Sequence, residues 1–299
     1  MANEKNIFRR GNRRTDEVRP VSFVYDPFGF APSSVLYRAG DTLVLASISL
    51  TAGVPPFLRG KGEGWLTAEY EMVPVATRKR TQRESTQAQR NSRSVEISRL
   101  VGRVFRSVFD VSRLGEHTVN IDCDVLQADG GTRTAAIAAV SLALSRACEK
   151  WRASGIIPQD LTVQKVGAIS VGAKDGVVLL DLDQDEDNTV DADFNFVMTA
   201  AGEIIEIQGT CEKKPVGPDV FQKFYEYGQN GIRDVFALWE KNDETSPEVV
   251  MSMFKKAVSS VNDEVLRPIG KAPLRNSSEH KQSNNKPAMF SIGNRIQKK

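Results

Sequence analysis

Residues 125–135 read VLQADGGTRTA, a stretch that begins as a strand and ends as the mouth of a helix. Gly130 and Gly131 let the backbone take positive φ and bring successive N–H groups together. A helix beginning near Thr132 adds unpaired amides and the positive end of its dipole. Thr132 and Thr134 offer hydroxyl donors, and Arg133 offers a planar fork that matches phosphate. Spacing alone leaves two readings open. Either the junction binds an anion, or the glycines turn the chain, Thr132 caps the helix and Arg133 pairs with a carboxylate such as Asp129. No Gly-Lys-Ser/Thr follows the glycines, which excludes a nucleotide P-loop.

A second concentration of chemistry is DLDQDEDNTVDAD, residues 181–193, with seven carboxylates in thirteen positions. Asp181, Asp183 and Asp185 imitate the start of a calcium loop. Glu186 at its sixth position and Ala192 at its twelfth exclude an EF-hand, which needs Gly and Glu there. The segment is then either a holder of Mg²⁺ and a general acid, or a solvated acidic loop. Arginines at 78, 80, 83, 90, 93, 99, 103 and 106 form a third cluster, suited to a polyanion or to a solvated face laced with salt bridges. RGKGEGW, residues 59–65, is a weak dinucleotide pattern because no strand–turn–helix unit surrounds it.

The elements that must carry these groups are legible in outline. VSFVYD, SVLYRAG and DTLVLASISL read as strands, and Thr118 to Val125 alternates apolar and polar without a break. From Ser94 a helix repeats Ile97, Leu100, Val101, Val104, Phe105 and Val108 at threes and fours, with Arg99, Arg103 and Arg106 on another face. The helix after Thr132 is apolar nearly all round, the mark of burial on every side. VGAISVG and VVLLDLD read as a hairpin across Ala-Lys-Asp-Gly, and FNFVMT and EIIEIQGT as another across Ala-Ala-Gly. A helix follows around residues 219–239, with Gly228 and Gly231 weakening its middle, and Ser246–Pro247 starts a further one.

Clusters of strands followed by helices imply an α+β protein of two packed units. The boundaries read as a basic leader over 1–19, a first unit over 20–156, a second over 157–241, a helical segment over 242–266 and a disordered tail over 267–299. Net charge over all 299 residues is +2, yet residues 267–299 hold eight Lys/Arg against one acid, a local +7 that leaves the remainder near −5. Cys123, Cys148 and Cys211 are too scattered for a disulfide framework or a zinc site and read as reduced packing residues. No apolar run reaches membrane-spanning length and the first twenty residues are polar, so a cytoplasmic protein is expected, with no membrane partner.

RRTDEVRPV, GDTLVLASISL, GEGWLTAEYEMVP, SRSVEISRLVGR, LGEHTVNIDCDVLQADGGTRTAAIAA and DEDNTVDADFNFVMT…GEIIEIQGT, in that order over residues 13–241, resemble the bacterial ribonuclease PH family. The resemblance implies the ribonuclease PH fold: two packed α+β layers like those of a ribosomal-protein domain, a left-handed βαβ crossover, and a homohexameric ring of three dimers. It implies phosphorolytic 3′-to-5′ trimming of RNA, chiefly of precursor tRNA, with inorganic phosphate as co-substrate and Mg²⁺ or Mn²⁺ as cofactor. By position, Arg93, Gly131, Thr132, Arg133 and Thr134 would bind phosphate. Asp187 and Asp193 would be the catalytic and metal-holding pair, and Arg80, Arg83 and Arg99 would contact RNA. Val75 stands where the family commonly has arginine, Asn91 and Ser92 stand where glycines precede the arginine, and the chain beyond about residue 242 has no counterpart. An alternative implied by the same family is a non-catalytic RNA-binding ring subunit of an exosome-like assembly.

Overall fold

In the computed structural model, residues 9–87, 89 and 91–243 are described, and all lie within one compact unit, Met1–Lys255. Five strands, β1 (Val21–Tyr25), β2 (Ser33–Ala39), β3 (Thr42–Ala52), β4 (Trp65–Met72) and β5 (His117–Gln127), form a sheet in the order β1-β2-β3-β5-β4. Neighbours are antiparallel except β4 and β5, which run parallel. A parallel pair cannot close through a hairpin, and the crossover is made by helix α1 (Ser92–Val108). The second sheet is antiparallel throughout, β7-β6-β8-β9, from β6 (Val166–Lys174), β7 (Val177–Leu180), β8 (Ala192–Thr199) and β9 (Ile204–Cys211).

Helix α2 (Thr132–Ala153) packs on β2, β3 and β5 of the first sheet and on β6 of the second. Its sequence explains the placement. Ala135, Ala136, Ala138, Ala139, Ala143 and Ala147 are all buried and keep the helix thin enough for both sheets to approach. Ser141 does not disturb the interior, because its Oγ accepts from the Val166 N–H at 2.9 Å. Val119, Ile121, Cys123 and Val125 face the same core from β5, as their alternation predicts.

The β6–β7 turn has positive φ at both central residues, Asp175 at 51° and Gly176 at 84°, the conformation that two-residue hairpins favour. A short helix α3 (Gln184–Asp187) links β7 to β8, and α4 (Pro218–Asp243) closes the described chain. Gly228 and Gly231 do not interrupt α4. A Cβ on Gly228 would lie 2.8 Å from the Phe196 ring and one on Gly231 would lie 2.7 Å from Leu180, so both are sites of close approach to the sheet. Cys123 and Cys148 are buried as expected; Cys211 is exposed at the end of β9 and is not a packing residue.

The expected leader is not free over its described part: Arg9, Arg13 and Arg19 are largely buried. The segment expected over 242–266 lies outside the described residues except for Asn242 and Asp243, which end α4, and the tail over 267–299 lies wholly outside them. Among the described residues no helix is long and apolar enough to cross a membrane.

Candidate active site

Gly130 and Gly131 both take positive φ, 79° and 62°, and Gly131 is the N-cap of α2. A Cβ on Gly130 would lie 2.5 Å from the backbone carbon of Asp183, so this loop is laid directly against residues 182–184. That approach sets the mouth of α2 beside α3. The Gly130 carbonyl is taken by the Thr42 hydroxyl at 2.7 Å and the Asp129 carbonyl by Arg19 Nη1 at 2.9 Å. No side chain caps α2, whose first backbone bond runs from the Ala135 N–H to the Gly131 carbonyl. The amides of Thr132 and Arg133 are thus left without a helical partner, at the positive end of a 22-residue helix, where an anion can meet them.

These groups open onto a cavity of about 720 Å³ walled by Arg93, Gly131, Thr132, Arg133, Asp187 and Asp193 together with Glu96, Gln208 and Glu212. Arg93 comes from the first turn of α1, which starts two residues before Ser94 because the Asn91 side chain accepts from the Arg93 N–H at 3.0 Å. The residue that departs from the family pattern therefore caps the helix that carries Arg93. Arg133 donates to Gln208 of β9 at 2.7 Å and to Glu96 of α1 at 3.3 Å, rather than pairing with Asp129, which takes Arg10 at 2.5 Å. Thr134 does not line the cavity: it is buried and its hydroxyl donates to the Gly131 carbonyl at 2.8 Å.

Asp187 ends α3 and Asp193 stands on β8, paired in register with Gly172 on one side and Thr210 on the other. Burial raises the Asp187 carboxyl above the usual range, and the pull of Arg93 and Arg133 does not cancel it. Asp193 is raised too, first by burial and then by the charges of Asp187 and Glu212. At both positions the loss of solvation outweighs the nearby arginines. Among the described residues no group of three or more His, Cys, Asp or Glu is gathered to hold a metal by itself. Two oxygen donors beside an anion nest nevertheless fit Mg²⁺, which keeps waters and takes further ligands from phosphates.

The frame that aims α3 comes from the N-terminal segment. Arg9 is 1% exposed; its guanidinium grips Glu186 at 2.6 and 2.8 Å and the Leu180 carbonyl at 2.6 Å. Glu186 and Asp183 also form a capping box at the start of α3. Arg19 holds Asp181 through Nε and Nη2 at 3.0 and 2.7 Å. Burial works against the Asp181 charge, yet Arg19 keeps that carboxyl below its usual range. Four of the seven acidic residues in the 181–193 run are thereby structural partners of arginine: Asp181, Asp183, Asp185 and Glu186. Sequence reasoning took Arg9 and Arg19 for part of a leader and missed their role.

Arg80 and Arg83 are exposed on the loop between β4 and α1, and Arg99 is exposed on α1; none of the three lines the cavity. The rest of the arginine stripe is engaged, with Arg103 bridging to Glu206 at 2.7 Å and Arg106 lying over the Trp65 ring at 4.8 Å. Arg90 lies outside the described residues. Glu212, one residue past β9, was not singled out from sequence. The hairpin register brings it near Asp193, but a bulge at Val197/Met198 shifts that register by one, so counting from the turn misplaces it.

Comparison with known proteins agrees with this architecture. The fold is similar to rice (Oryza sativa) Rrp46, at 19% identity and TM-score 0.60, covering 75% of this chain and 95% of that one. It is similar to a chain of the Archaeoglobus fulgidus exosome with RNA bound to the active site, at 19% identity and TM-score 0.63, covering 77% and 92%. An archaeal exosome core chain matches at 19% identity and TM-score 0.58, covering 75% and 87%. Residues 17–148 match domain 1 and residues 165–231 match domain 2 of the 3′ exoribonuclease family, and with both domains present in order the chain belongs to that ribonuclease PH family.

Proposed function

We propose that the protein shortens RNA from its 3′ end by phosphorolysis. The observation that carries this reading is the convergence, in one cavity, of an open helix N-terminus, Arg93, Arg133 and a carboxylate pair with raised pKa. An enzyme that used water would have no need of two arginines around an uncapped helix start on the nucleophile's side. Here Thr132, Arg133, Arg93 and the amides beginning at Thr132 hold inorganic phosphate against the charge of the RNA backbone. A phosphate oxygen forms a bond to the terminal phosphorus, the bond from that phosphorus to the preceding nucleotide's 3′ oxygen breaks, and a nucleoside 5′-diphosphate leaves. The released 3′ oxygen takes a proton, for which Asp187 or Asp193, raised by burial, is the donor on hand. Mg²⁺ held by Asp187 and Asp193 would neutralise charge on the scissile phosphate.

The substrate in this proposal is precursor tRNA, gripped through its backbone by the exposed Arg80, Arg83 and Arg99, and the working form is a homohexameric ring. Incubation with a 3′-extended tRNA, Mg²⁺ and phosphate is expected to release nucleoside diphosphates; monophosphates, or release without phosphate, would refute the reaction. Sizing of the full chain is expected to give six copies. A second reading, a non-catalytic RNA-binding subunit of an exosome-like ring, is favoured by the likeness in fold to archaeal exosome chains and by Arg133 already engaging Glu96 and Gln208. It predicts RNA binding with no turnover under the same conditions.

A further inference from the structure

Thr132 is held from behind. Its Oγ1 lies 2.8 Å from the hydroxyl of Tyr70 on β4, a side chain only 2% exposed. Tyr70 is fixed in turn: its N–H donates to Ser98 Oγ at 2.9 Å, and Ser98 donates to the Ser94 carbonyl at 2.7 Å, in the turn of α1 that follows Arg93. Two polarities are open to the Tyr70–Thr132 pair. Were Thr132 the donor, the phenol proton would be buried without its one acceptor among the described residues, a desolvation loss with nothing to offset it. With Tyr70 as donor the phenol is satisfied, and Thr132, which lines the cavity, keeps its own proton for an acceptor there. Burial, partly offset by this hydrogen bond, pushes the phenol up to about 12, so it keeps its proton at working pH.

We propose that Tyr70 is a positioning residue for the nucleophile: by donating to Thr132 Oγ1 it compels the Thr132 hydroxyl to present its own proton to the bound phosphate. A hydroxyl that accepts a hydrogen bond is polarised into a better donor, so Tyr70 strengthens the contact as well as aiming it. The inference rests on the anion reading of the cavity, and it names a group that touches no substrate.

The test is binding of inorganic phosphate alone to the full chain, by calorimetry, with unfolding midpoints measured in parallel. Tyr70→Phe is expected to weaken phosphate binding about five-fold, the worth of one uncharged hydrogen bond. Thr132→Val is expected to weaken it at least as much, and the double variant to match Thr132→Val, since Tyr70 acts only through that hydroxyl. Thr132→Ser, which keeps the hydroxyl for Tyr70 to orient, stays within about two-fold of wild type, an arm that stands even if Tyr70→Phe fails to fold. Equal affinity in Tyr70→Phe and wild type, an undiminished Tyr70 effect in the Thr132→Val background, or a Thr132→Ser loss as large as that of Thr132→Val each overturns the proposal. A wild-type chain that takes up no phosphate overturns the anion reading and this inference with it, and the wild-type arm tells the two failures apart.

Discussion

Arg133 joins three elements at the cavity wall, since it lies in the first turn of α2 and reaches Gln208 on β9 and Glu96 on α1. If Arg133 holds phosphate as proposed, replacing it with alanine removes that fork, so phosphate-dependent release of nucleotides should fall by about 100-fold or more while RNA affinity stays within about two-fold. Steady-state rates at several phosphate concentrations check this, and a loss seen equally at all of them would mean the arginine serves something other than phosphate. Asp193 makes a different prediction. Its folded-state pKa is raised, so its charge costs stability above that pKa, and the cost disappears below the unfolded value. Asp193→Asn should therefore melt a few degrees higher than wild type near pH 8 in a chelator, with the gap closing as pH falls through the carboxylate range, and with activity lost. An unchanged or lower melting temperature at pH 8 would show that the charge is not a burden. The residues that sequence could name are those whose signal is local: two glycines, a Thr-Arg pair and a run of carboxylates. Tyr70 and Glu212 escaped because neither carries a local signal: Tyr70 meets Thr132 across 62 positions, and Glu212 is brought to the cavity by a hairpin whose bulge shifts the register.

Alternation and turn residues made nearly every described strand legible, since each needs only local pattern and one buried face. Helix starts were less so: α1 begins at Ser92 because Asn91 caps it, a choice that apolar periodicity does not see. Gly228 separates propensity from packing most sharply. Helix propensity favours alanine there by about 1 kcal/mol. A Cβ would sit 2.8 Å from the Phe196 ring, which is wholly buried and has little room to retreat. Gly228→Ala is therefore expected to lose about 1–3 kcal/mol net, measured by urea unfolding; a gain would show that propensity governs the position. Arg9 is the counterpart at α3. Arg9→Met leaves Glu186 half-buried without its main partner and should cost about 3–5 kcal/mol, with the catalytic rate falling as α3 loosens. Wild-type stability in that variant would reduce the ion pair to ornament.

For the whole molecule, charge is divided. The last 33 residues carry +7 and the remainder about −5, so RNA gripped as proposed through Arg80, Arg83 and Arg99 would also meet a basic segment. Removing residues 267–299 should lower RNA affinity at low salt and flatten the plot of log affinity against log salt, each lost phosphate contact taking about 0.7 from the slope. An unchanged slope would leave the extension out of RNA binding. Composition revealed that asymmetry at once, whereas the use of the N-terminal arginines was hidden, because their partners lie far along the chain. Arg9 meets Glu186 across 177 positions and Arg19 meets Asp181 across 162. Contacts of such sequence separation are late and costly to close. As the chain leaves the ribosome, its first arginines must wait until β7 and α3 emerge before α3, which carries Asp187, can be fixed. The proposed site therefore cannot be completed in a nascent chain until more than half of it has been made.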